Sequence, residues 1–355
     1  MMSSGSQSEY SRYIGKKWLV LVSLAAALFG MILLSISVGA SWLPLSEVLL
    51  ALFGGGEVPG KTIVWNVRMP RIATGIGVGI ALAMAGCIMQ NVLRNPLASP
   101  STLGVSQGAA FGAAVAIAYF GAGVQISTTS VAMITMTNPY TVVIFAFLGG
   151  ITTTVLILLL SRIGGVTPSA MILAGVAISA MFTGATTLIQ YFSDDIKIAS
   201  IVYWTFGNLG RAGWREIAMI FCFNAAALLY LFFNRWNYNA MESGLPTAKS
   251  LGVDVDRLII ISMTVCTLIS AVAIAFVGTI NFIGLIAPHI VRRFVGNDYR
   301  FLIPCSALMG AIIMLAADIT SRMIKAPAVL PIGALTSFLG APLFLYLIIQ
   351  QGKAR

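Results

Sequence analysis

The stretch that most resembles a catalytic motif is Gly55-Gly56-Glu57-Val58-Pro59-Gly60-Lys61-Thr62, which fits the P-loop pattern GxxxxGK[ST]. In a P-loop a strand leads into the glycines, and backbone N–H groups at the start of the next helix cradle phosphates. Here Arg68-Met69-Pro70 follows within six residues of Thr62. The segment also falls in a loop that the charge pattern places across a membrane from cellular ATP. A flexible Gly/Pro turn is the better reading. His289, the single histidine, follows Pro288 beside Arg292-Arg293 and reads as a packed or interfacial side chain. Cys87, Cys222, Cys266 and Cys305 lie inside apolar runs without CxxC spacing, so they read as small buried apolar residues. No HExxH, paired carboxylates or Ser/His constellation appears in the apolar runs. The chain is expected to be no enzyme and to hold no metal or cofactor of its own.

The elements that must position these residues are membrane helices. A soluble domain carries about 25% charged residues. This chain of 355 residues carries 9%, against 58% hydrophobic, and its mean hydropathy is +0.94. Uncharged runs such as Ile72 to Leu93, 22 residues, are long enough to cross the hydrocarbon, which takes roughly 20 residues of helix. The alternating pattern of barrel strands is not what dominates the chain. The fold class expected is all-α, a polytopic membrane protein with about ten transmembrane helices.

Charges and prolines divide the chain as follows. Residues 1–17 form a tail, 18–350 one transmembrane domain and 351–355 a second tail. Crossings are expected at about Trp18–Val38, Ile72–Leu93, Leu97–Phe120, Tyr140–Leu160, Pro168–Tyr191, Glu216–Phe233, Leu258–Val277, Asn281–Val291, Phe301–Ala317 and Ile332–Ile349. Gln125–Pro139 reads as a Thr/Ser-rich loop, Asp194–Arg215 as a short surface helix and Asp318–Pro331 as a loop. Gly75-x-x-x-Gly79 and Gly108-x-x-x-Gly112 put small residues one turn apart, where helices in lipid gain by close packing. The first apolar run is too long for a signal-peptide core and reads as a retained helix.

With both termini in the cytoplasm, thirteen of the 21 Lys and Arg residues fall inside and eight outside. This is the sign of the positive-inside bias. The net charge of +10 therefore reflects loops facing the cytoplasm, and nucleic acid is not an expected partner. Eight outer positives still exceed what the bias predicts, and a negatively charged outer partner would account for them.

Ion-coupled transport leaves acids or histidines inside the bilayer, and no Asp/Glu relay occurs in any crossing core. An energy supply through another chain is the alternative. The polar segment Asn234–Arg257 suits that contact. Breaks at Gly244–Pro246 and Gly252 would divide it into two short helices with Met241, Leu245, Ala248 and Leu251 as an apolar contact face; a solvated loop without a partner is the other reading of the same residues.

Ordered motifs then carry a resemblance. Arg68-Met69-Pro70-Arg71, Gly86-Cys87-Ile88-Met89-Gln90, Asn95-Pro96-Leu97-Ala98-Ser99-Pro100 and Leu103-Gly104-Val105-Ser106 come first. Leu173-Ala174-Gly175-Val176-Ala177-Ile178, Phe282-Ile283-Gly284-Leu285-Ile286-Ala287-Pro288-His289, Ala317-Asp318-Ile319 and Leu330-Pro331-Ile332-Gly333 follow. From about Val64 to Leu347 the chain resembles the FecCD-type permeases, membrane subunits of type II ABC importers for iron–siderophore complexes, haem and vitamin B12. The resemblance implies ten helices in a multi-pass subunit of a prokaryotic plasma membrane. It implies a second permease subunit, identical or related, two cytoplasmic ATPases that hold ATP and magnesium, and an extracytoplasmic binding protein. It places binding-protein docking on Arg68, Arg71 and Arg322. It places ATPase coupling on Glu242, Gly244, Leu245, Lys249, Leu251 and Gly252, within residues 234–257. It places a cytoplasmic gate at Asn95 and Leu97, with Ser169 lining the same region, although Pro168 departs from a commoner polar residue. Siderophore is the first cargo expected, with haem and cobalamin behind it. Met84, Met89 and Met181 read as core packing before pathway wall. A secondary transporter with inverted repeats is the competing class.

Overall fold

The computed structural model describes residues 4–39, 50, 58–122, 124–126, 134–136, 138–164, 167–326 and 328–353. Helix α1, Ser4–Ser37, carries the expected N-terminal tail and first crossing as one rod. A short α2, Val58–Ile63, passes through a π-helical turn, Val64–Arg68, into α3, Met69–Val92. The turn expected over Gly55–Thr62 is therefore helical from Val58 onward, while residues 55–57 lie outside the described residues. Next come α4, Val105–Tyr119, α5, Pro139–Gly164, and α6, Pro168–Tyr191. A surface helix α7, Asp195–Thr205, and a 3-10 turn, Leu209–Arg211, precede α8, Trp214–Phe233. Two short helices, α9, Arg235–Glu242, and α10, Leu245–Ser250, lead to α11, Val255–Val277. The chain ends with α12, Ile283–Val295, α13, Tyr299–Met323, and α14, Ile332–Lys353. Among the described residues seven helices are long and apolar enough to span. The shorter α4 and α12, together with α14, occupy the other expected positions.

Three boundaries that bear on the predicted site residues differ from expectation. Helix α4 begins at Val105 rather than Leu97, because Asn95 to Gly104 form turns. The Asn95 Oδ1 accepts from the Leu97 backbone N–H at 2.7 Å, and Thr102 Oγ1 accepts from the Ser99 N–H at 2.9 Å. Helix α12 runs through Arg292-Arg293 and stops at Gly296, whose φ of +70° favours glycine. Helix α13 continues six residues past Ala317, so Asp318 and Arg322 stand on a helix and not in a loop. The expected loop after α4 contains a small ribbon, β1 Val124–Ile126 antiparallel to β2 Ile134–Met136, with Gln125 opposite Thr135.

Helix α3 is the axis of the bundle. In its most apolar window 83% of residues are buried, against 11% for α1 and 17% for α6. A helix that is apolar all round belongs inside, and the sequence of α3 from Ile72 to Val92 has no charge. Its glycines let backbones touch. A Cβ at Gly79 would meet the Gly310 backbone of α13, and one at Gly86 the Gly284 backbone of α12. Met84 and Met89 are buried in this core, whereas Met181 is exposed on α6. Cys87, Cys266 and Cys305 are buried and unpaired. Cys222, expected to be buried, is exposed along α8.

Candidate functional site

The alternation of helices puts the predicted residues at two ends of the bundle. At one end stand Arg68, Arg71, Asp318 and Arg322. The Arg71 Nε donates to Asp318 Oδ1 at 2.7 Å, and its Nη1 lies 3.4 Å from Asn208 Oδ1. The Arg322 Nε lies 2.9 Å from Asp318 Oδ2, out of line for a hydrogen bond. Asp318 has no exposed surface. A carboxylate buried this deeply is tolerable only when paired, and two guanidinium groups supply the pairing.

The arginines also complete helix ends. The last carbonyls of a helix lack internal partners and carry partial negative charge. Arg68 donates to the carbonyls of Ile36 and, at 3.1 Å, Ser37 at the end of α1. Arg322 donates to the Val38 carbonyl at 2.6 Å and to Ser35 Oγ at 2.7 Å. Arg211 does the same for α7, reaching the Tyr203 and Trp204 carbonyls at 2.7 and 3.1 Å. Part of the positive charge expected on the outer side therefore has an internal duty. Arg211 was not among the predicted site residues; its place in the outer count was the signal available. A cleft of about 430 Å³ lies between Arg71, Arg211 and Trp214.

At the opposite end, the predicted coupling segment is built as two helices broken at Gly244, whose φ is +115°. Gly252, at φ +85°, follows the second. Its apolar residues do not form one outward face. Met241 and Ala248 are buried against the bundle, Leu245 is half-buried, and Leu251 is exposed. Lys249 makes an exposed ion pair with Asp256 at 3.4 Å.

Glu242 is the joint between this segment and the core. Its Oε1 accepts from Asn91 of α3 at 3.2 Å and from the Tyr299 hydroxyl of α13 at 3.0 Å. Its Oε2 accepts from Asn297 at 3.2 Å. One helical turn earlier, Asn239 accepts from the Tyr299 N–H at 2.9 Å. The phenol of Tyr238 lies 2.7 Å from Ser262 Oγ, and burial raises its pKa above the ordinary value. Asp298, at the start of α13, lies 3.4 Å from Lys17 and 2.8 Å from Arg300. Burial would raise its pKa, but hydrogen bonds from Arg300 and the charge of Arg300 outweigh burial and hold it at about 2.

The predicted gate residues lie at this same end. Asn95 and Leu97 share the turn after α3, and Leu97 is 44% exposed. Ser169 is exposed in the first turn of α6, below the Thr167 cap, whose Oγ1 accepts from the Ala170 N–H at 3.3 Å. His289 is buried on α12 and borders a cleft of about 580 Å³ that also reaches Arg94, Glu242, Arg292 and Arg293.

Among known proteins, the sequence pattern of the FecCD transport family matches residues 26–350. An ABC transporter permease protein of Methanocaldococcus jannaschii is 50% identical over 345 residues, 97% of this chain and 98% of that one. The iron(3+)-hydroxamate import system permease FhuB of Bacillus subtilis is 36% identical over 90% of this chain and 80% of its own. A solved structure described as an inward-facing conformation of a metal-chelate type ABC transporter superposes with a TM-score of 0.81 at 30% identity. It covers 93% of this chain and 99% of that one.

Proposed function

The chain belongs to the FecCD transport family, and on that premise we propose that it carries an iron chelate inward, a siderophore complex before haem or cobalamin. It is a membrane-spanning ABC importer permease. Two such subunits, identical or related, would enclose the path between them, with two cytoplasmic ATPases below and a binding protein above. ATP and magnesium would sit on the ATPases. Both termini, and with them the Glu242 end of the bundle, would face the cytoplasm.

The observation that carries the mechanism is the Glu242 joint. A coupling segment that hung free could not move the bundle. Here Glu242 and Asn239 tie α9 to the ends of α3 and α13, and α3 is the most buried helix. A push on α9 and α10 by an ATPase is thereby delivered to the axis of the fold. The helices would rock between outward- and inward-open states, closing at Asn95, Leu97 and Ser169. The exposed side of α6 would meet the path or the second subunit. At the other end Arg71 borders a cleft, and the guanidinium edge that Asp318 and Asn208 leave over would meet a carboxylate of the binding protein, with Arg68 and Arg322 holding the surface beneath it. The bulk of Asp318's charge is already spent on two arginines, which leaves this end positive.

Among the described residues near the spans, the fully buried acid is Asp318, already paired with Arg71 and Arg322. That arrangement supports an external energy source over ion coupling. The test is uptake of an iron–hydroxamate complex by vesicles holding the chain, its ATPase and its binding protein. Uptake should require ATP, stop with vanadate and survive collapse of the proton gradient. Gradient-dependent, vanadate-insensitive uptake would overturn the proposal.

A further inference from the structure

The transport reading leaves one built feature unused, the cleft beside the joint. Its walls are the end of α3, the end of α9 and the last turns of α12. Three arginines border it, Arg94, Arg292 and Arg293, and one carboxylate, Glu242. The ion pairs among the described residues include none of these four. Glu242 is occupied by Asn91, Asn297 and Tyr299, all uncharged donors. Arg292 is aimed by a neutral group, donating at 2.5 Å to the Gln90 side-chain oxygen. Gln90 is fixed in turn through its Nε2, 3.3 Å from the Gly284 carbonyl. Arg94 leaves the helix at φ +47°, a left-handed value that an arginine seldom adopts.

A second observation concerns the opposite chemistry. Asn91 borders the same cleft and is 5% exposed, yet its Oδ1 accepts no hydrogen bond. Its Nδ2 is committed to Tyr238 and Glu242, which fixes which side of the amide carries the oxygen. That oxygen is sealed from solvent, so it stands behind the cleft wall and takes no part in what the cleft offers a ligand. What the cleft offers is an excess of guanidinium forks, with Glu242 the one carboxylate beside them.

Taking the Glu242 end as cytoplasmic, as proposed above, we propose that this cleft binds a phosphate group, either a phosphatidylglycerol headgroup of the inner leaflet or free hydrogen phosphate. The guanidinium fork matches phosphate oxygens bidentately, and basic pockets between helices on the cytoplasmic side recognise acidic headgroups. The bound group would bridge the turn after α3, through Arg94, to the end of α12, through Arg292 and Arg293, beside the Glu242 joint.

The experiment uses the full chain in nanodiscs of phosphatidylcholine alone. Inorganic phosphate is titrated in at constant ionic strength with chloride as control. Phosphatidylglycerol is added to the bilayer in a separate series. Thermal unfolding and retained lipid in native mass spectra are the readouts. The unfolding midpoint should rise with one of the two additives, phosphate marking a free-anion site and phosphatidylglycerol a lipid site. Arg94→Gln/Arg293→Gln should weaken that response roughly tenfold or more while folding as well as wild type without anion. If that pair fails to fold, Arg293→Gln alone, on an exposed side chain, should show the same direction. A wild-type midpoint indifferent to both additives would overturn the proposal, as would a variant that responds like wild type. Stabilisation by the ATPase alone would instead mark the cleft as a seat for an acidic protein surface and would equally overturn it. The transport reading stands or falls separately on vanadate-sensitive uptake.

Discussion

The Arg71 guanidinium reaches across 247 residues of sequence to the carboxylate of Asp318, which has no exposed surface. Asp318 also faces Arg322 on its own helix, four residues on. Removing the carboxylate would strand two cations in a desolvated place. Asp318→Asn should therefore cost about 3–5 kcal/mol of stability, read as a fall in the thermal unfolding midpoint of the purified chain. Arg71→Gln added to it should recover part of that loss, because one uncompensated charge is then gone. An unchanged midpoint in the single variant would mean that the pair contributes nothing.

Arg68 is almost wholly buried and donates to the carbonyls of Ile36 and Ser37. Hydrogen bonds from a charged donor contribute about 1.5–3 kcal/mol. Arg68→Gln should loosen the last turn of α1 before it loosens the bundle. Amide exchange at Ile36 and Val38 should accelerate, while exchange in α3 stays slow. Equal acceleration in both helices would assign Arg68 to the core as a whole.

These contacts explain what the sequence could and could not yield. The bounds of α6 agree with expectation at both ends, because Pro168 begins it behind a Thr167 cap and the polar Ser193-Asp194 closes the run. The spans were legible because hydrophobicity is local. The ends of α13 were not. Asp318 and Arg322 look like loop charges until Arg71 is brought beside them, and no local signal reports a partner 247 residues away. The same holds for Met241 and Ala248. An apolar stripe on a short helix is visible in the sequence, but not whether it faces a partner or its own bundle. The break between the two coupling helices was legible, since Gly244 and Pro246 stand at it. The role of Glu242 in joining them to α3 and α13 depends on Asn91, Asn297 and Tyr299, none of them near in sequence.

Glu242 offers the sharpest separation of folding from coupling. Glu242→Ala removes the acceptor for Asn91, Asn297 and Tyr299 at once. The chain should still insert and fold, since the carboxylate is partly solvated and the core does not depend on it. In vesicles with the ATPase and binding protein, transport per ATP hydrolysed should drop roughly tenfold or more, as expected when a positioned contact between moving parts is lost. Glu242→Gln keeps one acceptor oxygen and should retain an intermediate ratio. Normal transport by Glu242→Ala would remove the joint from the mechanism.

Asp298 sets an acid limit on the same end of the molecule. Its folded carboxyl titrates at about 2, below the ordinary value of 3.8, because Arg300 and Asn239 outweigh the burial that would raise it. A carboxylate with a depressed pKa contributes its full stabilisation above the unfolded value. That contribution, roughly 2 kcal/mol, is lost as pH falls from about 4 toward 2. Lys17 and Arg300 then lose their partner, and the N-terminal part of α1 loses its tie to the start of α13. Unfolding midpoints of wild type should drop through that window. Asp298→Asn should start lower at pH 7 and fall less steeply on acidification. The two proteins should converge near pH 2; parallel curves across the window would show that Asp298 is not the group responsible.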